Sequence, residues 1–395
     1  MKNIKLPDGW KYEKVGEFVS EISVRNKNNG IDRVLSVTNN KGFLQSEEYF
    51  NKQVYSKDLI NYKIVKRNQV AYNPSRINVG SIDVLESFDQ GVISPLYVIF
   101  QCDKRLDPKY LVHYLKSDIG KAYIKGNTSG SVRDTLKFSS LCNIRIPIPS
   151  IDIQKKIVNI LDKNKIIIEK RKESIKVIDE LVKSQFIEMF GDILHDDKFD
   201  KVILKEVANV GSSKRIYANE YVESGIPFYR SKEIRELGEN LKPSIELFIS
   251  QEKYDSVKRQ FGIPKKGDIL IAAIGATIGY TWIVNTDEAF YYKDGNLLNI
   301  SINKFMNSIY LNHALKILIN DFKYKGASGT AQLALTIEKV GKMEVTCPPI
   351  ELQNQFADFV KQVDKLKFEM EKSLKELEDN FNSLMQKAFK GELFS

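Results

Sequence analysis

Histidine, cysteine and tryptophan are scarce: the 395-residue chain has 3, 3 and 2 of them. Cys102, Cys142 and Cys347 stand far apart, so no CxxC or Cys/His grouping offers a zinc site. Three isolated thiols do not suggest a secreted disulfide framework either. No stretch approaches the roughly 18 apolar residues of a membrane span. The longest apolar run, DILIAAIGATIGYTWIV (268–284), is broken by glycines and reads as paired buried strands. The opening MKNIKLPDGWKYEK lacks the apolar core of a signal peptide, and a soluble, cytoplasmic protein is expected.

Catalytic constellations are missing as well. His113 and His313 fill the same slot of a repeated YLxHxLK helix, where tying that helix to its neighbours is the better reading than catalysis. His195 lies in the polar linker GDILHDDKFDK. GSSKR (211–215) lacks the upstream glycine spacing of a phosphate loop, and GATIG (275–279) lacks the GxGxxG of a dinucleotide site. YNPSR (72–76) lacks the second proline and the stacking aromatic of the NPPY tetrapeptide of amino-group DNA methyltransferases. Neither catalytic residues nor metal ligands are expected on this chain.

What is present is positive charge and repetition. There are 60 Lys+Arg against 51 Asp+Glu, a net charge of +9. That surplus favours polyanionic partners, nucleic acid first. With 42% hydrophobic and 28% charged residues the chain is globular, and its length suggests two or three domains.

PSIDIQKKIVNIL from Pro149 returns as PPIELQNQFADFV from Pro348. A shift of 199 carries Gln154 onto Gln353, Ile157 onto Phe356 and Phe190 onto Phe389. The same shift carries NTSGSVRDTL (127–136) onto GASGTAQLAL (326–335), and Val79-Gly80 onto Ile278-Gly279. YLVHYLK (110–116) meets YLNHALK (310–316) at a shift of 200. The chain is a duplicated unit, globular segment then helix, twice over.

Each helix opens after a proline with an acidic residue in its first turn. Val363, Leu366, Met370, Leu374, Leu377, Phe381, Leu384 and Ala388 step by three and four residues, as a coiled-coil seam does. The corresponding first-copy positions are Asn164, Ile167, Arg171, Ile175, Ile178, Val182, Gln185 and Met189, three of them polar. The stripe drifting to Ile168 and Phe186 is the simpler account of that interruption. At 1.5 Å per residue each helix is roughly 60 Å long, and the other copy, packed antiparallel, is its cheapest partner. The globular segments mix β-rich runs with amphipathic helices. The expected fold is therefore α+β: two globular α+β domains separated by two long antiparallel helices that form a coiled coil, in a pseudo-twofold internal repeat. Boundaries are expected at 1–148, 149–192, 193–347 and 348–395.

Basic side chains cluster on loops of both heads. Arg25, Lys27, Arg76, Arg133 and Lys137 occupy polar or glycine-containing loops of the first, and Lys214, Arg215, Arg230 and Lys232 those of the second. Gln332 in SGTAQ adds an amide able to read adenine, as arginine reads guanine. Any one of these reads best as surface charge; two sets on two duplicated heads read best as DNA contacts.

With the repeat in place, the chain resembles the specificity subunit of type I restriction–modification systems over almost its whole length. The openings IPIPSIDIQ and CPPIELQ, the SGS and SGT loops before them, the starts LPDGW and FGDILHDDKFDKVILKEV, and QKAFKGELF (386–394) carry the resemblance. It implies two target-recognition domains that each read half of a split double-stranded DNA site. It also implies helical regions that space them and dock two methyltransferase subunits, with restriction/translocase subunits joining the assembly. Gln154, Ile157, Phe190, Gln353, Phe356 and Phe389 are expected to meet those partners. S-adenosylmethionine, ATP and magnesium would then belong to the partner subunits, with no cofactor on this chain. The competing readings are a catalytic DNA-modifying enzyme with an unrecognised site, and a scaffold that binds partners without DNA.

Overall fold

The computed structural model describes residues 6–47, 55–56, 58–128, 135–326 and 333–394. Two compact units emerge: Met1–Ser174 with Met370–Ser395, and Ile175–Glu369. Both boundaries fall inside the long helices, so each unit joins one head to half of each helix.

The first head holds β1 (Lys11–Lys14), β2 (Val19–Ile22), β3 (Val34–Thr38), β4 (Gly42–Gln45), β5 (Lys63–Lys66), β6 (Val70–Tyr72), β7 (Ile82–Val84), β8 (Gln90–Ile93), β9 (Val98–Cys102) and β10 (Arg145–Ile148). Helices bounded within its described residues are α1 (Pro108–Lys116), α2 (Asp118–Asn127) and α3 (Phe138–Cys142). The strands form sheets of order β2-β9-β6-β7 and β4-β3-β8-β5, and β1 pairs with β10 where the long helix departs. Alternation sorts β6 between two cores. Val70 and Tyr72 join Phe100 and the helices, whereas Ala71 joins Leu35, Val37, Phe43 and Ile93 of the second sheet. The result is a helix layer on two stacked sheets. The long helix α4 (Ile151–Phe190) follows.

The second head repeats this plan with β11 (Lys201–Ile203), α5 (Leu204–Val207), β12 (Ala208–Gly211), β13 (Tyr221–Val222), β14 (Ile226–Tyr229), α6 (Ser231–Gly238), β15 (Phe248–Ile249), α7 (Gln251–Phe261), β16 (Ile269–Ala272), β17 (Thr281–Ile283), β18 (Tyr291–Tyr292), β19 (Leu297–Ile302), α8 (Ser308–Gly326), α9 (Ile337–Gly341) and β20 (Glu344–Thr346). Sheet β12-β19-β16-β17 matches β2-β9-β6-β7 strand for strand, and β11 pairs with β20 as β1 does with β10. The heads diverge in the other sheet, β13-β15-β14-β18. Both contain a parallel pair, β3 with β8 and β14 with β18, but the fourth strand is added at opposite edges. The second long helix is α10 (Ile350–Lys390).

In each unit the helix halves run antiparallel. In the first, Ile157 and Leu161 share a core with Ala388 and Phe389, while Lys172 reaches Glu378 at 2.6 Å. In the second, Phe186 and Phe190 pack on Phe356, and Lys367 reaches Asp179 at 2.7 Å. The seam follows the drifting stripe. Ile168 and Phe186 are buried whereas Ile167 is exposed, and Leu366 also faces outward. Both helices stop at a glycine in the left-handed region, Gly191 (φ +77°) and Gly391 (φ +79°), one residue later in the second copy.

Candidate nucleic-acid interface

In the first head the loop after β6 and the segment leading into α3 come together. The Leu136 N–H donates to the Pro74 carbonyl at 3.0 Å, and the Tyr72 hydroxyl donates to the Leu136 carbonyl at 3.1 Å. An open cleft of about 600 Å³ lies there, lined in part by Glu21, Asn73, Ser75, Leu96, Lys137 and Phe138. Arg76 and Lys137 are exposed and form no ion pair with any described residue. Gly80 ends the adjacent turn at φ +98°, and Gly279 ends its counterpart at φ +86°, a left-handed conformation that accounts for the repeated Val-Gly and Ile-Gly pairs. The Arg25 guanidinium donates to Asn61 at 3.1 Å, and Lys27 is exposed. Arg133 lies outside the described residues.

The second head makes the same junction. The Leu335 N–H donates to the Ala273 carbonyl at 2.9 Å, and Ile274 bridges Ala334. The adjoining turn, however, is apolar, and its cations stand elsewhere. Arg215 pairs with Asp294 at 2.8 Å, and the Lys214 ammonium lies over the Phe261 ring at 5.2 Å. Arg230 is held by Glu233 at 2.9 Å and by Glu246 at 2.8 Å, and Lys232 also binds Glu246 at 2.8 Å. Hydrogen bonds from Lys232, then Arg230, keep the Glu246 carboxyl down at about 2. These two cations are thus largely offset within the head, and the sequence could not show it because Glu246 lies on a separate segment. Gln332 is outside the described residues.

The six helix positions expected to meet partners are instead interior. Gln154, Ile157 and Phe389 are buried in the first unit, and Phe190, Gln353 and Phe356 in the second. Each glutamine welds its helix to its head. Gln154 accepts the Asp107 N–H at 2.8 Å and donates to the Arg105 and Pro149 carbonyls at 2.9 and 3.0 Å. Gln353 accepts from Asn307 at 2.8 Å and donates to Phe305 and Pro348 at 3.1 and 2.8 Å. Asp107 and Asn307 also accept from the opening N–H groups of α1 and α8. Phe389 packs on Tyr110 at 5.4 Å between ring centroids, and Phe190 on Tyr310 at 4.6 Å. Each head therefore grips the start of the helix that follows it and the end of the other.

The repeated histidines sit differently in the two copies. His113 bonds to Asp162 at 2.8 Å, and Lys109 joins the same carboxylate at 2.9 Å. Position 361, which corresponds to Asp162, is a lysine. His313 instead packs against the Phe356 ring at 5.2 Å and the Phe186 ring at 6.3 Å. Among the described residues no group of three or more His, Cys, Asp or Glu could hold a metal ion. No helix there is long and apolar enough to cross a membrane.

Residues 7–177 and 196–379, one span in each half, match the family described as the type I restriction modification DNA specificity domain. The chain belongs to that family. It is 30% identical over 270 residues to a chain assigned as a type I restriction enzyme specificity subunit from Haemophilus influenzae, covering 67% of this chain and 66% of that one. This chain thus spans just under two thirds of that relative's length. It is 23% identical to the type I restriction enzyme MjaVIII specificity subunit of Methanocaldococcus jannaschii, covering 93% and 88%. Two solved structures share the fold of this specificity chain. One, from work on complex assembly and conformational transition of the type I restriction–modification system, gives a TM-score of 0.64 at 19% identity and covers 98% of this chain and 100% of that one. The other, the S subunit of a type I restriction–modification system from M. genitalium, gives 0.58 at 16% and covers 98% and 97%.

Proposed function

We propose that this specificity chain is a non-catalytic reader and scaffold. Each head reads one half of an asymmetric, two-part duplex target, and the long helices dock two adenine-methylating subunits, with restriction subunits in the same assembly. S-adenosylmethionine, ATP and magnesium act on those partners. DNA strands are antiparallel, so modifying both takes two enzymes facing opposite ways, and a duplicated docking surface meets that need. One observation carries the reading: the same loop junction, Pro74 with Leu136 and Ala273 with Leu335, recurs on two heads that differ in charge and in edge strand. A common frame with different side chains suits two dissimilar half-sites.

Because the repeated helix residues are interior, docking passes to exposed apolar neighbours: Ile166 and Ile167 in the first unit, and Val177, Leu181, Leu366 and Phe368 in the second. Phe368 is 65% exposed, far more than a side chain needed for the chain's own core. The test is reconstitution. The chain alone, given S-adenosylmethionine and magnesium, is expected to bind DNA in a salt-dependent manner and modify none of it. Adding methyltransferase subunits is expected to give adenine methylation at one two-part sequence. Methylation or cleavage by the chain alone would contradict the proposal.

A further inference from the structure

Helix α7 (Gln251–Phe261) lies between β15 and β16 in the second head. Tyr254 and Val257 seat α7 on Ile216, Phe228 and Tyr291, and Ile216 follows directly on Lys214 and Arg215. The end of the helix and the basic loop are thereby fixed against each other. Lys214 confirms this by resting its ammonium over the Phe261 ring at 5.2 Å. Phe261 is nonetheless 55% exposed. Lys258 and Arg259 beside it are exposed and form no ion pair with any described residue; Arg259 donates only to the Asp255 carbonyl of its own helix.

Cations in a last turn complement the helix dipole, and that alone would explain Lys258 and Arg259. It does not explain a phenylalanine left half in water under the Lys214 ammonium. A half-exposed ring with Lys214 over its face, ending a helix whose last turn carries Lys258, its ammonium over Tyr254 at 5.8 Å, and Arg259, matches the needs of a duplex, where phosphates take the charges and an apolar side chain meets a base edge or enters a base step.

We propose that the C-terminal end of α7 is a DNA-reading element of the second head: Lys214, Lys258 and Arg259 bind phosphates, and Phe261 makes apolar contact with bases of that head's half-site. The inference rests on the proposed function and adds an element through which the second head meets its half-site. Selection of randomised duplexes by the full-length chain, followed by salt titration of the enriched duplex, tests it. Lys258→Glu with Arg259→Glu is expected to lower affinity tenfold or more for every duplex and to reduce the salt slope by about two. Phe261→Ala is expected to leave that slope and the melting temperature unchanged while relaxing one half of the enriched sequence. Wild-type selection of a two-part sequence with unchanged affinity and both halves intact in the variants would overturn this inference alone. A wild-type chain with no salt-sensitive DNA binding would overturn the proposed function, and this element with it.

Discussion

The Gln154 carboxamide accepts the Asp107 N–H at 2.8 Å, and Gln353 stands in the same relation, at the same distance, to Asn307. Asp107 and Asn307 cap the helices that pack on the long-helix ends, so one buried amide in each unit fixes the angle between head and helix. A network repeated atom for atom is a joint rather than a contact surface.

Gln154→Ala or Gln353→Ala leaves buried backbone groups without partners, which costs about 2–4 kcal/mol. Denaturant unfolding should show that loss in the unit carrying the substitution. Normal stability with defective subunit assembly would return these residues to a docking role.

Phe389 and Ala388 belong to the core of the first head, together with Tyr110 and Tyr114. Phe389→Ala should therefore cost about 3–5 kcal/mol in the first unit. Truncation after Lys387 should open that head to limited proteolysis and leave the second head protected. Cleavage confined to the exposed helix faces would contradict this packing.

These two cases mark how far the sequence carries. Helix starts, the repeat register and the strands flanking Val79-Gly80 and Ile278-Gly279 follow from local spacing, because proline, glycine and periodicity act over a few residues. That Phe389 closes the first head was beyond reach, since its Tyr110 partner lies in the opposite half of the chain. A glutamine repeated at one place on two helices carries the same signal whether it faces a partner or the interior, and only coordinates separate the two. Likewise Arg230 and Lys232 look free until Glu246 is brought to them.

Burial against two aromatic rings, and then the nearby Lys316 charge, pulls the His313 pKa from 6.5 to about 4. The unfolded chain thus binds the extra proton first. The stabilisation is complete above about 6.5 and is lost as pH falls toward 4. The melting temperature of the second unit should drop across that window, and His313→Leu should flatten the drop. In the first unit burial pushes Asp162 up, but hydrogen bonds from His113 and Lys109 hold it at about 2, against the ordinary 3.8. That contribution persists above about 3.8 and disappears only as pH falls through about 2. A His313→Leu variant that keeps the full wild-type dependence between 6.5 and 4 would contradict the assignment.

Lys137 lines the first head's cleft and Arg76 follows its lining residue Ser75, both exposed and without an ion pair to any described residue. Replacing both with Gln should weaken binding to all duplexes and reduce the salt slope by about two. Arg230→Gln should instead lower the stability of the second head, because Glu233 is buried and would lose its cation. Equal effects of the two changes on DNA binding would contradict this division.

The most direct test replaces residues 200–345 with the corresponding head of another member of the family and maps adenine methylation in cells that supply the methyltransferase subunits. One half of the methylated sequence should change while the other half stays as it was. Change in both halves together, or in neither, would contradict separate reading by two heads.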